Sequence, residues 1–202
     1  MRGFDYIIIG AGSAGCLLAN RLSKNSQNQV CLIESGGGEN SPLITIPAGL
    51  SVLYEHKKFD YAYQSIPQKK LDNRVITVNR GKGMGGSSSI NGMVYIRGNK
   101  NDYDNWVKLG CDGWSYKEVL PIFKKLENDQ TGGDPNYHSI GGEWPVVKPQ
   151  DANIILQRFI KAGAKLDLPH NQDFNGSSQL GLGIYNVNQH KGERVNSYRA
   201  FV

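Results

Sequence analysis

Residues 6 to 34 of the chain are YIIIGAGSAGCLLANRLSKNSQNQVCLIE, and the prediction of the fold starts from this stretch. The apolar run Tyr6–Ile9 predicts a strand that is buried on both faces of a parallel sheet. Gly10, Gly12 and Gly15 then fill the pattern G-x-G-x-x-G. The first permits a tight turn, the second lets a pyrophosphate approach the backbone, and the third lets a helix lie close to the strand.

A helix and a second strand complete this unit in the sequence. Ala14, Leu18 and Leu22 form an apolar stripe that is predicted to face the sheet, and the first-turn N–H groups of such a helix attract an anion. Residues 29 to 33 predict the second strand, which ends at Glu34. A carboxylate at this spacing can accept both hydroxyls of an adenosine ribose, and it disfavours a 2′-phosphate. The pattern predicts a site for FAD or NAD, and the alternative is a glycine-rich βαβ unit without a ligand.

Composition indicates a globular protein. Hydrophobic residues make up 39% and charged residues 20% of the chain, which is typical of a globular protein. Its length of 202 residues is enough for one domain or a domain and a half. The net charge of +5 would suit a nucleic-acid partner. However, the lysines are scattered in pairs and form no arginine-rich face, so we expect no nucleic acid to bind.

The cysteines and the hydropathy pattern bear on the compartment. Cys16, Cys31 and Cys111 form no C-x-x-C motif or disulfide framework, which favours a reducing environment. No apolar run approaches the length of a membrane span. We therefore expect a cytoplasmic protein without an integral membrane segment, and we leave association with a membrane surface open.

The rest of the chain alternates short strands with helices. Two short strands are predicted within residues 61–65 and 75–78, and one more at Gly183–Gln189. Helices are predicted at 102–109 with Asn101 as N-cap, at 115–127 with Ser115 as N-cap and a kink or division at Pro121, at 153–164, and from Asn196 to Phe201. The number of parallel βα units is too small for a complete doubly wound sheet.

Metal binding has no support in the sequence. His56, His138, His170 and His190 lack ligand spacing, so each is predicted to be a surface histidine. The stretch from Asn171 to Gly176 resembles the start of an EF-hand loop, but position twelve is a leucine instead of a glutamate, which argues against calcium.

A second glycine cluster lies at residues 80–98, with the sequence RGKGMGGSSSINGMVYIRG. Four glycines in six positions leave backbone amides open to a ligand, and the serines that follow can cap a helix or form an anion-binding nest. Asn91 is the one amide placed to hydrogen-bond to a flat ring system. The cluster is neither a P-loop nor a G-x-S-x-G nucleophile elbow.

The two glycine clusters together resemble the N-terminal part of the glucose-methanol-choline (GMC) flavin oxidoreductases, in their choline-dehydrogenase-like branch. The resemblance is carried by residues 10–22, 60–68, 80–99, 173–176 and 192–194. It implies an α/β fold: a Rossmann-like FAD-binding domain, incomplete, with the start of the substrate or cap region. Residues 1–202 would be the N-terminal FAD-binding portion, with the C-terminal substrate and catalytic part absent from this chain.

The resemblance also implies a set of cofactor-binding residues. Those near the pyrophosphate and ribose are Gly10, Gly12, Ser13, Ala14, Glu34 and Ser35. Those that wrap the pyrophosphate and the isoalloxazine are Arg80, Gly81, Gly85, Gly86, Ser87, Asn91, Gly92, Met93 and Val94. Some members attach the flavin through a histidine just before the asparagine. Here Ile90 occupies that position, which implies non-covalent FAD.

The activity implied by the resemblance is oxidation of a CH–OH group of a small alcohol, with hydride transfer to the flavin N5. The family's catalytic histidine lies in the segment that this chain does not match, so no catalytic residue is predicted here. A hydroxynitrile-lyase-like enzyme on the same fold and a non-catalytic dinucleotide-binding fragment remain the alternatives. The substrate, the electron acceptor and the oligomeric state are left open.

Overall fold

The computed structural model describes residues 3–38, 41–149 and 153–202. The chain divides into two units by its contacts. The first comprises Met1–Met93 with His190–Val202, and the second comprises Val94–Gln189. No helix in the described ranges is both long enough and apolar enough to cross a membrane.

The predicted βαβ unit begins the first unit. Strand β1 is Tyr6–Ile9, helix α1 is Ser13–Ser23 and strand β2 is Val30–Ile33. The strands pair in parallel, with Tyr6 opposite Val30 and Ile9 opposite Ile33. All three elements that the sequence predicted are confirmed.

The burial of these elements differs from the prediction. Ile7 is 60% exposed and Ile9 is 87% exposed, so β1 is not a strand buried on both faces. The reason is that β1 and β2 form a two-stranded sheet, and no further strand of the described residues pairs with either of them. The predicted stripe on α1 is also wrong, because Leu18 is exposed whereas Gly15 and Cys16 are buried.

Short elements fill the rest of the first unit. They are α2 at Pro42–Thr45, α3 at Leu50–Leu53, β3 at Tyr63–Gln64 and β4 at Thr77–Val78, with 3₁₀ turns at Pro47–Gly49, Lys69–Leu71 and Gly86–Ser89. The two predicted short strands are confirmed as β3 and β4, although both are shorter than the predicted ranges, and the structure shows that they pair antiparallel. Ile44, Leu53, Phe59 and Ile90 form the buried cluster on which these elements pack.

The second unit contains three longer helices and one parallel strand pair. These elements are α4 at Lys100–Lys108, α5 at Tyr116–Leu126, β5 at Glu127–Asp129, β6 at Trp144–Val146 and α6 at Ile154–Ala164. Ser115 caps α5 as predicted. Helix α4 begins earlier than predicted, because Asn99 rather than Asn101 is its N-cap and forms a capping box with Asp102. Helix α5 continues through Pro121 as one helix, so of the two predicted alternatives the division is wrong and the kink stays a prediction.

The end of the chain carries β7 at Gln189–His190, β8 at Glu193–Arg194 and α7 at Ser197–Phe201. The predicted helix after Asn196 is confirmed, and Asn196 is its N-cap. The predicted strand Gly183–Gln189 is wrong over most of its length, since Val187 makes only isolated bridges to Val94 and Val147, and Gln189 alone belongs to a strand, β7. The apolar residues of this segment have no neighbouring strand long enough to form a ladder.

Candidate functional site

The turn after β1 needs glycine at two of its three motif positions for reasons of the fold alone. Gly10 has a φ of +96° and donates from its N to Ile33 O at 2.7 Å, which fixes the turn to the end of β2. A side chain on Gly15 would place its Cβ 1.9 Å from Gly10 O. Both glycines therefore let α1 pack on β1, whether or not a ligand is present.

Gly12 is different, because the protein itself would tolerate a side chain there. Its φ is −77°, and an added Cβ would meet nothing closer than Gly86 Cα at 4.0 Å. Gly12 is the N-cap of α1, where glycine is preferred to alanine, but no steric contact within the fold requires a glycine there. The space above Gly12, next to the first turn of α1 with Ser13 and Ala14, is thus open to a ligand.

The structure brings the two glycine clusters together at this point. Gly85 N donates to Ala11 O at 2.8 Å, and a Cβ on Gly86 would lie 2.7 Å from Gly12 Cα. Behind this contact, Gly81 N donates to Ser87 Oγ at 3.1 Å. Two segments about 70 residues apart in sequence therefore meet backbone to backbone beside the open space at Gly12.

Glu34 joins three glycine-containing loops. Its Oε2 accepts from Ala11 N at 2.8 Å, and its Oε1 accepts from Gly36 N at 2.9 Å and Gly83 N at 3.1 Å. Burial raises the pKa of Glu34, but the three backbone donors lower it further, so that the net pKa lies below the usual value. A carboxylate has about four acceptor sites. One site on Oε2 remains, which is enough for one ribose hydroxyl rather than two.

Ser35 and two neighbours form a small polar wall beside Glu34. Ser35 Oγ hydrogen-bonds to Tyr61 OH, and Lys82 Nζ lies 5.6 Å from the centre of the Tyr61 ring. The Tyr61 ring also stacks on Tyr63 at 5.2 Å. Sequence reasoning singled out Ser35 but not Tyr61 or Lys82.

Arg80 has an exposed side chain that donates to Asn79 O at 2.7 Å. Its backbone N donates to Asp60 Oδ1 at 2.8 Å. Asp60 is buried and also accepts from Glu55 N and Ala62 N, so it fastens the loop around residue 60 to the start of the second glycine cluster. This role of Asp60 explains part of the motif at residues 60–68 in structural terms.

Asn91 lies at a cavity of about 520 Å³ that Tyr54, Asn79, Arg80 and Ser87 also line. Its Oδ1 accepts from Met93 N at 3.0 Å and from Arg194 Nη1 at 2.9 Å. Arg194 is fully buried and was missed by sequence reasoning, because the motif at residues 192–194 gave no sign that its arginine would reach back to Asn91.

The residues after Asn91 differ in environment. Gly92 is exposed and an added Cβ would meet nothing, whereas Met93 is buried with a φ of +60°. Val94 belongs to the second unit, where it bridges to Val187. The structure thus brings all the predicted cofactor residues except Val94 into the first unit.

The prediction that all four histidines are on the surface is wrong for His138, which is 3% exposed. Its Nε2 lies 2.9 Å from Asp173 Oδ2, and its Nδ1 lies 3.3 Å from Glu127 Oε2. Glu127 Oε2 lies in turn 2.8 Å from Arg97 Nη2. We call these four side chains of the second unit the buried clasp. Their positions at 97, 127, 138 and 173 follow no period that a sequence pattern could reveal.

Burial lowers the pKa of His138, but hydrogen bonds and charge interactions with Asp173 and Glu127 raise it to about 9 overall. The histidine is therefore protonated at neutral pH, and the clasp holds two positive and two negative charges. Within the residues that the structure covers, no cluster of histidine, cysteine and carboxylate side chains has the arrangement of a metal site.

Comparison with known proteins places this geometry in a family. Residues 4–202 match the family described as GMC oxidoreductase. The chain is 46% identical over 199 residues to an alcohol dehydrogenase [acceptor] of Pseudomonas putida, and 41% identical over 198 residues to an oxygen-dependent choline dehydrogenase of Sinorhizobium fredii. Each match covers 98% of this chain and 36% of the relative. The chain thus spans about a third of the length of these curated relatives.

Solved structures also resemble this chain. Pyridoxine 4-oxidase from Mesorbium loti superimposes with a TM-score of 0.92 at 35% identity, covering 98% of this chain and 39% of that one. An FAD-dependent oxidoreductase from Chaetomium thermophilum superimposes with a TM-score of 0.90 at 27% identity, covering 99% of this chain and 36% of that one.

Proposed function

Because the chain belongs to the GMC oxidoreductase family, we propose that it forms the FAD-binding part of an enzyme that oxidises the CH–OH group of an alcohol. The observation that carries this proposal is the open space at Gly12. Two glycine loops meet there, and the one motif glycine that the fold does not require faces open space. A pyrophosphate needs such a close approach to the backbone.

The residues of the first unit bind FAD and orient it. The first-turn N–H groups at Ser13 and Ala14 lack partners within the helix by its geometry, so they can donate to a phosphate. Glu34 offers its remaining Oε2 site to a ribose hydroxyl. Asn91 and Gly92 are exposed residues within the second glycine cluster, and we propose that they contact the flavin ring. A contact from Val94 remains a prediction.

When bound, FAD supplies the hydride acceptor for oxidation of an alcohol to a carbonyl compound. The chain's own part is to hold this group non-covalently: Ile90 has no nucleophilic atom, and its side chain is buried in the core with Leu53 and Phe59. We further propose that residues 1–202 are the N-terminal FAD-binding portion and that the base for the hydroxyl proton comes from sequence outside it. The relatives, which are nearly three times as long, support this division.

The proposed activity is tested by adding candidate alcohols, choline among them, to the FAD-loaded full-length protein without oxygen. We expect the yellow flavin absorbance to bleach with at least one alcohol, because the hydride reduces the ring. A flavin that stays oxidised with every alcohol while cyanohydrins are cleaved would point to the lyase alternative. Acid precipitation of the same preparation should release the yellow colour, and colour retained in the pellet would contradict non-covalent binding.

A further inference from the structure

The side-chain amide of Asn91 has only one orientation that satisfies its neighbours. Both Met93 N and Arg194 Nη1 are donors, and both lie within 3.0 Å of the same side-chain atom, which must therefore be Oδ1. The Nδ2 group then points the other way. No acceptor among the described residues takes its hydrogens, so Asn91 presents an unused N–H donor at the exposed edge of the second glycine cluster.

Arg194 is the residue that imposes this orientation. Its Nη1 donates to Asn91 O at 2.6 Å as well as to Asn91 Oδ1, and its Nε donates to Ile44 O at 2.9 Å. The side chain is 0% exposed, and no carboxylate of the described residues pairs with it. Burial lowers the pKa of Arg194 to about 10, so the guanidinium remains charged at neutral pH.

A buried cation without a counter-ion is costly, and its nearest polar partners are carbonyl oxygens. A neutral hydrogen-bond donor in place of Arg194 would be enough to fix the position of the Asn91 side chain. A positive charge has the further effect of polarising the Asn91 amide. It draws electron density toward Asn91 Oδ1 and so makes the Nδ2–H bonds stronger donors, because hydrogen bonds in series polarise one another in a low dielectric.

We propose that Arg194 is a positioning residue for the cofactor: it fixes and polarises the Asn91 amide so that only a strengthened N–H donor faces an acceptor atom of the flavin ring. This inference rests on the proposed function, namely that the loop after Ile90 contacts FAD. A reduced ring is richer in electrons than an oxidised one and accepts such a bond more strongly. The pair Arg194 and Asn91 therefore raises the midpoint potential of the bound flavin.

The test is a double-mutant cycle in the FAD-loaded full-length protein, and the quantity measured is the midpoint potential of the bound flavin. Asn91→Ala and Arg194→Met should each weaken binding of reduced FAD about tenfold more than that of oxidised FAD. For a two-electron couple this corresponds to a potential about 30 mV lower. Arg194→Met in the Asn91→Ala background should add no further shift. Lys191→Met, which removes an exposed positive charge three positions away, is the matched control and should leave the potential unchanged.

The outcomes separate the alternatives. If the Arg194→Met shift persists at full size in the Asn91→Ala background, Arg194 does not act through Asn91. If Arg194→Met does not fold, Arg194→Lys keeps a buried cation but lacks the planar fork, and it should lower the potential by a smaller amount. A wild-type potential in Arg194→Lys and in any folded Arg194→Met protein overturns the proposal. Wild-type protein that purifies without FAD and fails to bind it would overturn the proposed function itself, and this inference with it.

Discussion

Glu34 illustrates how one side chain can serve the fold and a ligand together. The sequence predicted its place at the end of β2, because a carboxylate at that spacing suits a ribose. The sequence did not indicate that Ala11, Gly36 and Gly83 would all donate to it, since these residues lie in three separate loops. The carboxylate therefore holds the backbone of the site in place, and only one of its acceptor sites remains for a ligand.

We predict that Glu34→Gln destabilises the folded protein in addition to weakening FAD binding. An amide has one acceptor oxygen, so at least one backbone N–H would face an NH₂ group instead, at a cost of about 1–3 kcal/mol in the free energy of unfolding. The pKa of Glu34 lies below its usual value, so the carboxylate's contribution is present at neutral pH and is lost as the pH falls through that pKa.

Urea unfolding of the FAD-free protein at pH 7 measures this free energy. Glu193→Gln is the matched control, because Glu193 pairs only with the exposed Arg199 on the surface. Equal stabilities for Glu34→Gln and Glu193→Gln would contradict the structural role of Glu34.

Elements with local signals could be predicted from the sequence, whereas their surroundings could not. Strand β1, helix α1 and strand β2 follow from apolar runs and a glycine turn, and helix α6 follows from its periodicity. The structure adds that Asn153 is the N-cap of α6. The start of α4 was misplaced because two asparagines, Asn99 and Asn101, could each cap it. Only the reciprocal bond to Asp102 decides between them.

Burial is a property of what lies beside an element, and no local pattern contains that information. The run Tyr6–Ile9 has the composition of a central strand, yet it pairs on one side only among the described residues. The segment Gly183–Gln189 was predicted to be a strand, yet among the described residues Val187 makes only isolated bridges and no ladder forms before Gln189. The buried clasp was missed for the same reason, since its four charged side chains come from distant positions.

The buried clasp makes the stability of the second unit depend on pH. His138 has a folded-state pKa of about 9, above the usual value near 6.5, because Glu127 and Asp173 face it, with Arg97 behind Glu127. A raised pKa stabilises the fold fully below pH 6.5, and this contribution is lost as the pH rises toward 9. Each pKa unit corresponds to about 1.4 kcal/mol, so the upper limit for the contribution of His138 is about 3–4 kcal/mol.

We predict that the free energy of unfolding falls between pH 6.5 and pH 9, and that His138→Gln removes most of this dependence. Urea unfolding at the two pH values measures the difference. His170→Gln is the control, because His170 is exposed in the same unit and should leave the pH dependence as it is in the wild type. An unchanged slope in His138→Gln would show that the clasp histidine is not charged in the folded protein.

For the protein as a whole, family membership and the pair of glycine clusters could be predicted from sequence, because each cluster is a continuous motif. The contact between the two clusters could not be predicted from the sequence. The contact depends on Gly86 passing within reach of Gly12 and on Arg194 reaching Asn91, and both are long-range. The match to the GMC oxidoreductase family covers residues 4–202, so the fold is that of its N-terminal part.

The central claim is that the FAD pyrophosphate binds in the open space at Gly12. The dissociation constant of the Gly12→Ala protein for FAD tests this claim most directly. The added methyl group contacts no protein atom closer than 4.0 Å, so the FAD-free protein should lose only the advantage of glycine over alanine at the N-cap of α1. Thermal unfolding should show this loss to be about 1 kcal/mol or less. The methyl group occupies ligand space, and an overpacked contact costs about 1–3 kcal/mol, so FAD should bind roughly ten- to a hundredfold more weakly. Gly3→Ala, at another glycine with open space, should bind FAD like the wild type. A Gly12→Ala protein that binds FAD as tightly as the wild type would contradict the account.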